Sequence, residues 1–341
     1  MKKFLAKFII LFVLIDGFLL YYMFAVYPRL SGDMGYMGQI TFGVEYMDSI
    51  QNLYKPDRCR VHDLQNVDSL SQSVITIGDS FSHFKEYGYS QAVAESFGVD
   101  IIDIAISDVD PLQTFVQYAN NNLFPTNTIV IVESVERSLL GRLSQLDISD
   151  NTRPEIQSHT YVTADKNAPK KKPDYLTGAI KYIRRLLHFK RYNSIHLFKT
   201  DRNLFSHSTM VNQLYIYDSP WDGDGDFRYQ ESNCSNYASI YNKLYDLHNL
   251  ATEKQVRLIF LVAADKYDVY EPFILVKHKK NPTLDSIPTE EWIINTKPLL
   301  QEIIYSGTRD VYYINDTHWS PVGAKRVGKE VSDRIRKLYL K

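Results

Sequence analysis

VITIGDSFS, residues Val74 to Ser82, decides the fold. VITI is a short apolar run of the kind that forms a strand buried on both faces, and such strands belong to parallel sheets covered by helices. The run passes directly into Gly-Asp-Ser, at the carboxyl end of the strand, where an α/β sheet presents its reactive groups. Gly78 permits a tight turn that a Cβ would hinder. Ser80 is then expected near the start of the following helix, where free backbone N–H groups can stabilise an oxyanion. Asp-Ser before a helix is also a common capping arrangement. On this stretch alone Ser80 reads as a cap before it reads as a nucleophile.

The pattern continues on either side. A helix is expected over Phe84–Phe97, a strand over Val99–Ile106, and a helix over Pro111–Asn122 with Pro in its first turn. A third strand is expected over Thr128–Val132. After a break the alternation resumes, with a helix near Ala238–Glu253 and a strand over Arg257–Ala263. A last short strand is expected over Asp310–Ile314 (DVYYI), and an amphipathic helix over Pro321–Leu338 closes the chain. Strands alternating with helices predict the α/β class, a parallel central sheet between helical layers. The break, at about 144–237, reads as an insertion. It holds PKKKPD (Pro169–Asp174), the basic stretch KYIRRLLHFKRY (Lys181–Tyr192) and SPWDGDGD (Ser219–Asp226). The basic stretch reads as a solvated surface helix, with attraction to an anionic polymer or headgroups as the alternative. DGDGD lacks the spaced ligands and closing Glu of a calcium loop and reads as a turn.

Length and composition bound the rest. The 341 residues fit one α/β domain with an insertion. Hydrophobic residues at 44% and charged residues at 23% allow an ordinary core. A net charge of −1 argues against a nucleic-acid partner. Cys59 and Cys234 sit in no metal-binding pattern, so neither a metal nor a cofactor is expected; they read as two thiols or as one disulfide.

Phe4 to Tyr27 (FLAKFIILFVLIDGFLLYYMFAVY) is long enough to cross a bilayer, which takes about 20 residues. Lys2, Lys3 and Lys7 open it and Arg29 follows, so the positive-inside bias leaves the N-terminus in the cytoplasm. The expectation is a retained single-pass anchor over 1–27 in the cytoplasmic membrane, a stalk over 28–73 and an extracytoplasmic domain over 74–341. Asp16, inside the apolar run, reads as a protonated or snorkelling carboxyl, or as a contact with a membrane partner.

YINDTHWSPVGA, Tyr313 to Ala324, gives Ser80 its partners. A serine hydroxyl needs a neighbouring base. His318 supplies one, and Asp316 can hold its imidazole in the required tautomer. Both segments are expected to end strands of one sheet, so they can meet. The alternative is that Asp316 and His318 are polar turn residues capping a helix.

GDSFS and DTHW together resemble the SGNH hydrolase superfamily. The chain is most similar to its O-acetyltransferases of exopolysaccharide modification, typified by the alginate O-acetylation proteins. ESVER (Glu133–Arg137) and the Lys266-to-Tyr270 segment match two further landmarks of that group. The resemblance covers roughly Val74–Arg137 and Arg257–Val331, and it implies a three-layer α/β/α fold. The order of segments, serine first and Asp-His last, is that of ordinary SGNH hydrolases. The superfamily's G-x-N-D block is absent, and ESVER occupies that strand end. An oxyanion donor is then expected from the backbone of Ser107 and Asp108.

Glu133 and Glu136 with Arg137 are expected to form a structural ion pair beneath the site, the alternative for Arg137 being substrate binding. Lys266 and Tyr270 either line the cleft or pack at the strand end. Trp319 is either a sugar platform or a wall behind His318. The resemblance implies acyl transfer to a cell-envelope glycan or exported polysaccharide, supplied by a multispanning membrane acyltransferase. The same triad with water as acceptor is a carbohydrate esterase, and a third reading is a non-catalytic glycan-binding protein.

Overall fold

A computed structural model describes residues 2–21, 43–64, 74–82, 84–105, 110–154, 195–217, 237–276 and 283–339. In chain order the elements that concern the site are helix α1 (Lys2–Tyr21), helix α2 (Gly43–Leu53), strand β1 (Val61–Asp63), strand β2 (Val74–Gly78), helix α3 (Tyr89–Phe97), strand β3 (Ile101–Ala105), helix α4 (Pro111–Asn120), strand β4 (Ile129–Val135) and helix α5 (Glu136–Gln145). Strands β5 (Ile195–Lys199) and β6 (Gln213–Tyr217) follow, then helix α6 (Tyr237–Glu253), strand β7 (Arg257–Ala263), helix α7 (Lys266–Tyr270), strand β8 (Ile293–Asn295), helix α8 (Thr296–Tyr305) and helix α9 (Pro321–Tyr339).

The central sheet has six strands in the order β1-β3-β2-β4-β7-β8, and every neighbouring pair is parallel. Every residue of β2 and β4 is buried, as the apolar run at Val74 requires of a strand covered on both faces. One group of helices packs together as α3, α8 and α9, and another as α4, α5 and α6. From β2 the chain crosses outward to β3, then returns past β2 to β4. Crevices open at such reversals, beyond the carboxyl ends of the strands. Ser80 lies at this one.

Local sequence explains the helix starts that frame the site. Asp110 caps α4, its Oδ1 accepting from Leu112 N at 2.8 Å, with Pro111 at the first helical position. Asn295 caps α8 in the same way, accepting from Lys297 N at 3.0 Å.

Four expectations are corrected. Asp310–Ile314 is buried but adds no strand to the sheet; its ladder contact is an isolated bridge between Tyr312 and Trp319. The outer strand of the sheet is β8 instead. Residues 43–64, expected within the stalk, belong to the fold. Tyr46, Met47 and Ile50 of α2 enter the core, and β1 pairs with β3. The helix after Ser80 starts only at Tyr89. Within the 144–237 insertion, β5 and β6 form an antiparallel two-stranded sheet. The basic stretch at 181–192, PKKKPD at 169–174 and the acidic turn at 219–226 lie outside the described residues, as does Cys234. The Cys59 thiol contacts the Val61 carbonyl at 3.5 Å.

Among the described residues no helix is long and apolar enough to cross a membrane. Of the expected anchor, residues 22–27 fall outside them. Phe8 to Ile15 on α1 are each 49% to 65% exposed, so the described protein leaves this apolar helix uncovered.

Candidate active site

Ser80 lies in the turn that follows β2, closed by Ser82 N donating to the Asp79 carbonyl at 2.9 Å. Ser80 is half-buried, while its neighbours Phe81 and Ser82 are buried. The parallel register of β2 and β4 sets Ile77 beside Val132, so Gly78 and Asp79 lie against Glu133. Glu133 Oε2 accepts from Asp79 N and from Ser82 Oγ, both at 3.0 Å. Tyr89 OH and Ser82 Oγ are 3.0 Å apart, which ties α3 to the same turn. Asp79 Oδ2 accepts from Val135 N at 3.0 Å and from Arg142 Nη1 at 2.9 Å. Gly78 is required by close approach. A Cβ there would lie 2.1 Å from Ser82 Oγ and 2.6 Å from Glu133 Oε2.

The base segment comes from the loop between α8 and α9. Asp316 and His318 are 5% and 9% exposed. Asp316 Oδ1 accepts from the backbone N of His318 at 3.0 Å and is hydrogen-bonded to its Nδ1. This double contact fixes the ring and directs Nε2 away from the carboxylate. Burial works against the charge on Asp316. The imidazole of His318, its two hydrogen bonds and the Lys266 ammonium outweigh that, and the carboxyl is held below the usual carboxylate range.

The two segments meet through aromatic rings. The centroids of Phe81 and Phe84 lie 4.9 Å and 5.0 Å from that of His318. Phe81 also meets Trp319 edge-on at 4.6 Å. The residue next to Ser80 therefore packs directly on the imidazole.

The remaining site residues take structural places. Lys266 is fully buried, and its ammonium donates to the carbonyls of Tyr313 at 2.7 Å, Ile314 at 2.9 Å and Asp316 at 3.1 Å. Tyr270, also fully buried, accepts from Tyr312 N at 3.2 Å. Neither lines a cleft. Trp319 is 4% exposed, donates from Nε1 to Tyr312 OH at 2.9 Å and packs its ring against Phe81 and Tyr89, which favours a wall over a sugar platform. Arg137 pairs with Asp265, and Glu136 accepts from Asp265 N at 2.9 Å. Glu133 holds the turn of Ser80 rather than an ion pair with Arg137. Ser107 and Asp108 lie outside the described residues.

Sequence reasoning passed over Asp79, Arg142, Phe81 and the α2 contacts. Asp79 stood in the quoted motif, but its carboxylate was assigned no partner. Arg142 carries no motif signal; it reaches Asp79 because α5 begins at the end of β4. Helix α2 braces the base loop, with Tyr46 OH donating to Asp310 Oδ1 at 2.8 Å and Gln51 Nε2 to Tyr313 OH at 3.1 Å. The spacing of Tyr46, Met47 and Ile50 was a helical signal that could have found it.

Among the described residues no group of His, Cys, Asp and Glu has the arrangement of a metal site. Comparison with protein-family models, with curated proteins and with solved structures finds no match to this chain.

Proposed function

We propose that this protein is a membrane-anchored, extracytoplasmic O-acyltransferase of the SGNH type, acting on a cell-envelope or exported glycan through Ser80, His318 and Asp316. One observation carries the reading: Asp316 holds His318 by both Nδ1 and the backbone, while the rings beside Ser80 clasp the same imidazole. The position of Ser80 at the sheet's reversal point and the exposed apolar face of α1 support the active-site and anchor parts of it.

In this reading His318 Nε2 takes the Ser80 proton as Oγ attacks the acyl carbonyl of the donor. The tetrahedral adduct collapses, and the donor's leaving group departs with that proton, leaving an acyl-serine. A glycan hydroxyl then attacks the acyl carbon, His318 accepting its proton and returning it to Ser80 Oγ. The donor is delivered by a multispanning membrane acyltransferase.

The test uses the full chain in detergent with a chromogenic acetyl ester and an oligosaccharide acceptor, the products read by mass spectrometry. Acetylated oligosaccharide in the wild type and none in Ser80→Ala, with unchanged thermal midpoint, is the expected result. Free acetate alone would replace transfer by esterase chemistry. Ester cleavage undiminished in Ser80→Ala would remove Ser80 from the mechanism.

A further inference from the structure

Beneath the Ser80 turn a fully buried acid, Glu133 of β4, lies against the half-buried Asp79 of the turn itself. One oxygen of each is committed: Glu133 Oε2 to Asp79 N and Ser82 Oγ, Asp79 Oδ2 to Val135 N and Arg142. The other oxygen of each, Glu133 Oε1 and Asp79 Oδ1, is buried with no hydrogen-bond donor among the described residues. Two ionised carboxylates in contact would leave both oxygens desolvated and mutually repelling, an arrangement avoided when one proton is shared.

We infer that Glu133 is a neutral acid that donates its proton to Asp79, and that this shared proton is the positioning device that fixes the Ser80 turn. One proton on Glu133 Oε1 satisfies both uncommitted oxygens at once. Its Oε2 stays free to accept from Asp79 N and Ser82 Oγ, and Asp79 remains the anion that Arg142 neutralises. Gly78 belongs to the device, because a Cβ would occupy the place of the Glu133 carboxyl.

The surrounding charges agree. Burial, then the Asp79 charge and the contact with it, push Glu133 well above the ordinary carboxyl range, with Arg142 opposing. For Asp79 burial is overcome by Arg142 and by the contact with Glu133, and its carboxyl is held below the ordinary range. Tyr89 faces Glu133 from α3, with Asp103 behind it, and stays neutral, pushed well up first of all by burial. Asp110 and Asp265 face Asp79 from α4 and from the loop after β7; both are pushed up by burial.

A carboxyl raised in the folded state contributes stability that is complete below its unfolded value and is lost as pH rises through the folded one. The full-length wild type should therefore lose thermal midpoint on the alkaline side. E133Q keeps a donor towards Asp79 and an acceptor towards Asp79 N and Ser82. It should match the wild type in mild acid and exceed it in alkali, and its difference infrared spectrum at neutral pH should lose one protonated-carboxyl carbonyl band. Failure of E133Q to fold, an equal loss of midpoint at all pH values, or an unchanged carbonyl band would each overturn the inference. These readouts do not depend on turnover, so they stand apart from the acyl-transfer reading and its own test.

Discussion

The ammonium of Lys266 lies 3.1 Å from the carbonyl oxygen of Asp316 and also holds the carbonyls of Tyr313 and Ile314. A single buried cation thus shapes the three residues that lead to the Asp316–His318 pair. Loss of its donors would strip each of three buried carbonyls of a charge-assisted hydrogen bond, and weakening the satisfaction of buried acceptors is expensive. Lys266→Met should cost about 3 kcal/mol of stability, the range for removing one member of a buried charged arrangement. Ester cleavage should fall further than the folded fraction, because Asp316 loses its register. Chemical denaturation alongside initial rates checks both. An equally active, equally stable Lys266→Met would show that the loop holds its own shape.

The turn before Ser80 is as tightly specified. An added Cβ at Gly78 would come within 2.1 Å of Ser82 Oγ, 2.6 Å of Glu133 Oε2 and 2.9 Å of Glu133 Cβ. Relief requires Glu133 or the turn to move, and overpacking of this kind costs about 1–3 kcal/mol. Gly78→Ala should lower the unfolding free energy by that amount and abolish detectable ester cleavage. Circular dichroism with a burst assay for acyl-enzyme separates the two losses.

These contacts show which parts of the site were legible in the sequence. The strand-to-turn reading of Val74–Ser82 was, because an apolar run ended by Gly-Asp-Ser leaves little choice about which end of the strand carries Ser80. Asp316 and His318 were, because they are two residues apart and their pairing is local. DVYYI was not a sheet strand. Hydrophobic pattern reports burial, and Tyr312 and Tyr313 are buried by packing and hydrogen bonds rather than by a ladder. β8, three residues long, is too short to carry a period. Lys266 stood in a segment quoted for its resemblance, but its partners are backbone carbonyls about fifty positions away, which no sequence spacing encodes.

Trp319 gives a direct test of wall against platform. Its Nε1 donates to Tyr312 OH at 2.9 Å, and Tyr312 OH donates onward to the Ala264 carbonyl at 2.7 Å. Trp319→Phe removes one buried hydrogen bond, worth about 1 kcal/mol. The variant should show that loss in denaturation, with the KM for an oligosaccharide acceptor unchanged. A raised KM at unchanged stability would return Trp319 to the sugar-binding surface.

A second acid group, Asp265 and Asp268, predicts how stability changes near neutrality. Burial, then the Asp265 charge, push Asp268 up to about 7, with Lys297 opposing. Burial likewise pushes Asp265 up to about 6 against the pull of Arg137. Both are raised in the fold, so their contribution is complete below about 3.9, the unfolded value, and is lost as pH rises through 6 to 7. Asp79 and Asp316 are depressed and act oppositely: theirs is present above the unfolded value and is lost as pH falls through the folded one. Wild-type stability should therefore be greatest in mild acid. Asp268→Asn removes one of the raised groups. Its denaturant midpoint should gain on that of the wild type between about pH 4 and pH 7, and differ little in slope below pH 4 or well above pH 7. Parallel pH dependences for the two proteins would mean that Asp268 is already ionised in the fold.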